Sequence, residues 1–282
     1  MSYSRDDALV STGWLAERLG SPGLKVVDGS WYLPAEARDP KAEYAEAHIP
    51  GAVYFDIDAI ADTANPLPHM FPSAEAFAAA VGGLGIANAD RVVVYDGGSM
   101  SAAGRVWWMF RAFGHENIAI LNGGAGKWRA EGRPWTDAPA AAAATSFEAR
   151  YQAALVRSVE DVLGAVEAGD KQILDARSAG RFQGSAPEPR AGLRGGHMPG
   201  ACNLPYTDLV AENGTMRPAD ELRALFEASG ISLERPVIAS CGSGVSATVL
   251  LLGLHLLGHR GGALYDGSWS EWGSRQDTPV VT

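Results

Sequence analysis

Cysteine is scarce in this chain: Cys202 and Cys241 are the only thiols in 282 residues. Two thiols cannot build a disulfide framework or a four-cysteine zinc site, so each has to be judged by its own surroundings. Long apolar runs are missing as well. The longest, Ala247 to Leu257, is interrupted by Gly253 and His255; at about half the length a bilayer demands, it predicts a buried helix and no membrane partner. Basic clusters are also lacking. With 23 Lys plus Arg against 33 Asp plus Glu, the net charge is -10, which repels a phosphate backbone and argues against a nucleic-acid partner. The opening stretch MSYSRDDALVSTGWLAERL has early acids and no apolar segment, unlike a secretion signal or a transit peptide, so a cytoplasmic location is expected.

What the chain does have is an internal echo at a spacing of about 145 residues. KVVD ending at Asp28 answers QILD ending at Asp175, and AHIPGAVYFD from Ala47 answers GHMPGACNLP from Gly196. PSAEAFAAAVGGLGI answers RPADELRALFEASGI, RVVVYDGGSMSAAGRV answers PVIASCGSGVSATVL, and ILNGGAGKW answers LYDGSWSEW. Blocks kept in one order imply a duplicated domain. The small-residue stretch TDAPAAAAATS, residues 136 to 146, has no apolar period and reads as the connection. The expected organisation is a domain over 1–138, a linker over 139–149 and a second domain over 150–282. In both halves short β-branched runs, such as Val92 to Val94 and Val237 to Ile238, alternate with helix-like segments, which predicts an α/β fold with a mostly parallel sheet flanked by helices. In PADELRALFEASG, Leu222, Leu225 and Phe226 share one helix face and Gly230 can supply the stop.

Cys241 then falls at the carboxyl end of a strand, on the loop entering a helix, where open α/β sheets bind ligands. Gly242 and Gly244 let the backbone close around the sulfur, so that loop amides form an anion nest that favours thiolate. Cys202, in GACNLP, has no such setting and is expected to pack as a small apolar residue.

The CGSGVSA loop, the doubled domain, DARSAGRFQGSAPEPRAGLRGGHMPGA (Asp175 to Ala201), VWWMFRAFGH and YDGSWSEW together resemble the rhodanese superfamily, specifically the 3-mercaptopyruvate sulfurtransferases. The resemblance spans nearly the whole chain. It implies two tandem rhodanese-like domains, no cofactor and no metal, and sulfur carried as a persulfide on Cys241. The first repeat has Asp96 at the equivalent position and should be chemically silent, because a carboxylate cannot take up sulfane sulfur.

Thiosulfate-using relatives typically place basic residues after the cysteine, whereas this loop continues with Gly242, Ser243, Gly244, Val245 and Ser246 and carries no charge. The family pattern usually has Thr at the last of these positions, and Ser246 retains the hydroxyl. The resemblance assigns donor binding to these residues with Arg181 in GRF and Arg190 in EPR, whose planar forks suit a carboxylate. Arg177 and Arg194 are expected to be solvated surface residues. The family's proton relay would join Ser243 to His48 and Asp39 in the first repeat, although His48 and its counterpart His197 could instead brace their Pro-Gly turns, and Asp39 could be an ordinary loop acid. The partners implied are a small-molecule sulfur donor and a thiol or cyanide acceptor, thioredoxin among the candidates.

Other signals dissolve on inspection. His255 and His259 have metal-pair spacing, but their helix face is otherwise leucine, and LNGGAGKW has Trp128 where a phosphate loop needs Ser or Thr. The tryptophans, Trp107 and Trp108 included, are expected in the core and at the domain interface. A cysteine phosphatase on this fold would need Arg where Ala247 stands. Thiosulfate sulfurtransfer and a non-catalytic binding scaffold are the remaining alternatives.

Overall fold

The computed structural model describes residues 2–5 and 7–282. In the N-terminal half the β-branched runs become β1 (Leu9–Val10), β2 (Leu24–Asp28), β3 (Ala52–Tyr54), β4 (Arg91–Tyr95) and β5 (Ile118–Leu121). They pair in the order β1-β5-β4-β2-β3, every pair parallel. Both faces of this sheet are covered, which is why β4 reads as an unbroken apolar run, buried from Val92 to Tyr95. The covering helices are α1 (Thr12–Ala16), α2 (Pro40–Glu46), α3 (Ala74–Gly83), α4 (Ser101–Ala112) and α5 (Gly124–Ala130). Their starts are written in the sequence: Ser73 Oγ accepts the Ala76 amide at the head of α3.

The second half repeats the plan. Strands β6 (Val156–Arg157), β7 (Gln172–Asp175), β8 (Cys202–Asn203), β9 (Val237–Ser240) and β10 (Gly262–Tyr265) form a parallel sheet in the order β6-β10-β9-β7-β8. Its helices are α6 (Val159–Ala168), α7 (Ala179–Phe182), α8 (Ala219–Ala228), α9 (Ala247–Leu256) and α10 (Ser268–Trp272). On α8 Leu222 and Phe226 are buried and Leu225 packs against the core, and Gly230 takes φ +86° just beyond its end. Residues 139–149 run without regular structure along the first domain: the Thr145 amide bonds the Gly82 carbonyl, and Phe147 is buried.

The two halves meet through α4 and α9. Gly104 permits the approach, since a Cβ there would lie 2.7 Å from Thr248 Oγ1. One apolar core runs through both domains and includes Trp107 and Trp108; Trp107 meets the His255 ring edge-on at 5.4 Å. The carboxyl ends of β4 and β9 carry the two repeat-equivalent residues, Asp96 and Cys241, at the start of α4's and α9's approach loops. Among the described residues, no helix is long and apolar enough to cross a membrane.

Candidate active site

Cys241 follows β9 directly and is buried. Its loop is held from behind by α10: the Cys241 amide donates to Ser268 Oγ at 3.1 Å, and the Cys241 carbonyl accepts the Trp269 amide at 3.0 Å. The Gly242 carbonyl accepts both the Ser270 amide (2.8 Å) and its hydroxyl (2.7 Å). These contacts occupy the carbonyls of Cys241 and Gly242. The loop amides, from Gly242 through Ser246, have no protein acceptor among the described residues. Gly244 is required by its geometry, with φ +73° and space for a Cβ only 2.7 Å from the Asp266 carbonyl oxygen.

The equivalent loop of the first repeat has its amides engaged by a carboxyl group. Asp96 is buried, its Oδ1 accepts the Gly98 and Met100 amides at 3.1 and 3.2 Å, and its Oδ2 accepts the Ala103 amide at 2.9 Å. Burial pushes the Asp96 carboxyl up from its ordinary value. In one repeat the loop amides hold the protein's own carboxyl group; in the other the equivalent loop lines a cavity of about 430 Å³ beside a thiol.

That cavity lies between the domains. Trp31, Tyr32 and Ser99 line it from the first, and Arg181, Arg190 and Tyr206 from the second, together with Cys241, Gly242, Ser243, Val245 and Ser246. The structure therefore brings together most of the loop and arginine positions expected from the sequence. The two arginines differ in their commitments. Arg181 is tied to Glu188 Oε2, with Nη2 at 2.5 Å and Nε at 3.1 Å. Arg190 has the ring of His69 beside it, Nη2 to Nε2 at 3.4 Å. Burial pulls the Arg190 guanidinium below its ordinary value, and the nearby Cys241 sulfur is the foremost charge working against that.

Of the expected relay only Ser243 lines the cavity. His48 does not line the cavity: its Nδ1 lies 2.7 Å from the Tyr44 carbonyl and its Nε2 3.1 Å from the Ala138 carbonyl, and its backbone pairs with Thr136. It braces a turn, as His197 does with its Nδ1 2.9 Å from the Phe182 carbonyl. Asp39 caps α2, its Oδ1 accepting the Lys41 and Ala42 amides. The imidazole beside two cavity-lining side chains, Arg190 and Trp31, is His69, whose Nδ1 lies 2.8 Å from Asp58 Oδ1. Trp31, which lines the cavity, meets the His69 ring edge-on at 4.8 Å and donates from Nε1 to Asp58 Oδ2 at 2.9 Å. The His69 contact, opposed by desolvation, holds the Asp58 carboxyl below its ordinary value. One sequence signal could have pointed there: the connection from Phe55 to Phe71 is longer than its repeat counterpart from Leu204 to Met216 and carries Asp58 and His69.

Arg177 and Arg194 are not the free surface cations expected, the first being buried and the second half-buried. The Arg177 side chain is wholly buried between Asp175 (2.6 Å) and Glu188 (2.7 Å) and stacks over Trp269 at 4.0 Å. Arg194 clips the carboxyl-terminal segment, donating to the carbonyls of Trp272, Gly273 and Thr278. Cys202 is half-buried in β8, and burial pushes its thiol up.

The rhodanese-like domain pattern matches residues 11–131 and again 158–275. The chain belongs to the rhodanese-like family. It is 44% identical over 272 residues to the 3-mercaptopyruvate sulfurtransferase of Escherichia coli, covering 96% of each chain. It is 46% identical over 272 residues to the thiosulfate sulfurtransferase of Bos taurus, covering 94% of this chain and 91% of that one. The crystal structure of SseA from Escherichia coli matches with a TM-score of 0.84 at 42% identity, over 93% of this chain and 98% of that one. The two rhodanese-like domains contribute unequally to the cavity: the second carries Cys241 and both cavity arginines, and the first supplies the Trp31, Tyr32 and Ser99 wall with His69 and Asp58 behind it.

Proposed function

We propose that this rhodanese-like protein is a 3-mercaptopyruvate sulfurtransferase, and that the observation carrying this is the uncharged Cys241 loop, its Gly242 to Ser246 amides without protein acceptors among the described residues, lining a cavity whose least committed cation is Arg190. The Cys241 thiolate attacks the donor's sulfur. The carbon–sulfur bond breaks, its electron pair goes to carbon as pyruvate enolate, and Cys241 becomes a persulfide. The loop amides and Arg190 oppose the negative charge as it moves from sulfur to enolate. Ser243 offers a hydroxyl to that charge, and His69, paired with Asp58, is the group able to exchange a proton near Arg190. A thiol then attacks the outer sulfur and regenerates Cys241.

A monoanionic donor fits better than thiosulfate. Asp175, Arg177, Glu188 and Arg181 form a closed chain of alternating charges, so the arginine wall offers a donor roughly one net positive charge, that of Arg190. We place the reaction in the cytoplasm, where thiol acceptors are kept reduced, with thioredoxin as the acceptor to test first. The deciding experiment compares pyruvate release from 3-mercaptopyruvate with sulfur transfer from thiosulfate. It also weighs the intact protein after donor is added without acceptor. One added sulfur mapping to Cys241, lost in Cys241→Ser and kept in Cys202→Ser, is expected; a sulfur on Cys202, or faster turnover of thiosulfate, would overturn the proposal.

A further inference from the structure

We infer that Arg105, on α4 of the thiol-free domain, is a positioning residue for sulfur transfer, an inference that rests on the function proposed above. Its side chain is 1% exposed. Nη1 donates to the carbonyl of Gly244 at 3.0 Å, in the loop that carries Cys241, and to Asp266 Oδ1 at 2.7 Å. Nη2 donates to the carbonyl of His69. The guanidinium carbon lies 4.3 Å from the Phe71 ring centroid, and Asp266 Oδ2 accepts the Phe71 amide at 2.7 Å. One guanidinium and one carboxylate thus tie the nucleophile loop of the second domain to the His69 segment of the first.

Both carbonyls that Arg105 holds belong to residues with left-handed backbone: Gly244 at φ +73° and His69 at φ +61°. That region is disfavoured for a residue with a Cβ, and His69 stays there only if its surroundings fix it. The imidazole beside Arg190 and the amides beside Cys241 each project from one of these turns, so Arg105 sets their mutual position. Stability alone is a poor reason for the arrangement, because a buried ion pair is often matched or bettered by apolar residues of similar volume. Arg105 touches neither the cavity nor its contents; it acts through Gly244 and His69.

The test uses the full chain as wild type, as Arg105→Lys, and as the double variant Arg105→Met with Asp266→Asn. The double variant removes both charges while the Asn oxygen still accepts the Phe71 amide. Circular dichroism and thermal melts establish folding. Two quantities are read: kcat and KM for pyruvate release, and the rate of Cys241 alkylation by iodoacetamide, assigned by peptide mass. In the folded double variant kcat should fall about 10- to 100-fold, the cost of a misplacement on the order of 1 Å, while KM moves less than about threefold because Arg190 and Arg181 are intact. Cys241 alkylation should change at least about threefold as the amide nest loosens. Lysine keeps the charge opposite Asp266 but cannot bridge both carbonyls, so its kcat should fall at least about fivefold; this variant decides the matter should the double variant fail to fold. Wild-type kcat in either folded variant, or a rise in KM with kcat unchanged, would overturn the inference. Alkylation needs no donor, so it separates the two ideas: a wild-type chain that releases no pyruvate refutes the proposed function, whereas unchanged alkylation in the folded variants refutes the role of Arg105.

Discussion

Glu188 holds Arg181 with Oε2 at 2.5 Å from Nη2, while its other oxygen takes the buried Arg177 at 2.7 Å. The Glu188 side chain is only 3% exposed, so the contact is little screened and cancels most of the charge that Arg181 would show a donor. Removing the carboxylate charge by Glu188→Gln should therefore raise the thiosulfate-to-mercaptopyruvate activity ratio. With about 1 kcal/mol of added attraction per unit of donor charge, a dianion gains about fivefold over a monoanion. Steady-state kinetics with both donors checks this, and an unchanged ratio in a folded variant would show that Arg181 is not charge-limited by Glu188.

The same geometry ranks the two arginines. Arg190→Lys should lower mercaptopyruvate kcat/KM by about 10- to 150-fold, the equivalent of about 1.5–3 kcal/mol for a lost charged fork. Arg181→Lys can still pair with Glu188 and should cost less than about fivefold. Equal losses in the two variants would contradict the ranking.

His69→Gln should reduce kcat about 100-fold, the lower end of what a positioned proton carrier contributes, and Asp58→Asn should follow in the same direction. His48→Gln should leave kcat within about twofold and lower stability by about 1 kcal/mol, because it removes a brace between two carbonyls. A collapse of turnover in His48→Gln with normal folding would restore the relay expected from the sequence.

His255 gives a pH prediction for the fold. It is buried on α9 against Trp107, and desolvation, with Arg111 and Arg5 nearby, pulls its imidazole down to about 4; only Asp7, 3.5 Å away, works the other way. Above about pH 6.5 both native and unfolded states hold it neutral, so nothing is lost. Between about 6.5 and 4 the unfolded chain takes up a proton that the native state refuses, and stability should drop by an amount on the order of 2–3 kcal/mol. Below about 4 that loss is complete. Thermal melts from pH 7 to 4 should show a shallower decline in His255→Leu than in wild type; identical slopes would assign the acid sensitivity to other groups.

The sequence by itself determined the parts of this protein that depend on neighbours along the chain. The repeat, the strand ends at Asp28 and Asp175, the helix stop at Gly230 and the position of Cys241 at a strand-to-helix loop follow from short periodic patterns and from glycine's freedom of φ. Arg181 and Arg190 were legible because they stand in the same segment as the family motif. What the tertiary structure decided is which charges face each other. Arg190 meets His69 across 121 residues of sequence, and Arg105 meets Asp266 across 161. The linear reading picks His48, yet carbonyls of Tyr44 and Ala138 engage that ring, and a left-handed turn held by Arg105 sets His69 beside Arg190. Arg177 and Arg194 look like surface cations until packing buries the first over Trp269 and turns the second onto three backbone carbonyls. A charge's role depends on its desolvation and its partners, and both are set by contacts between segments that local pattern leaves free.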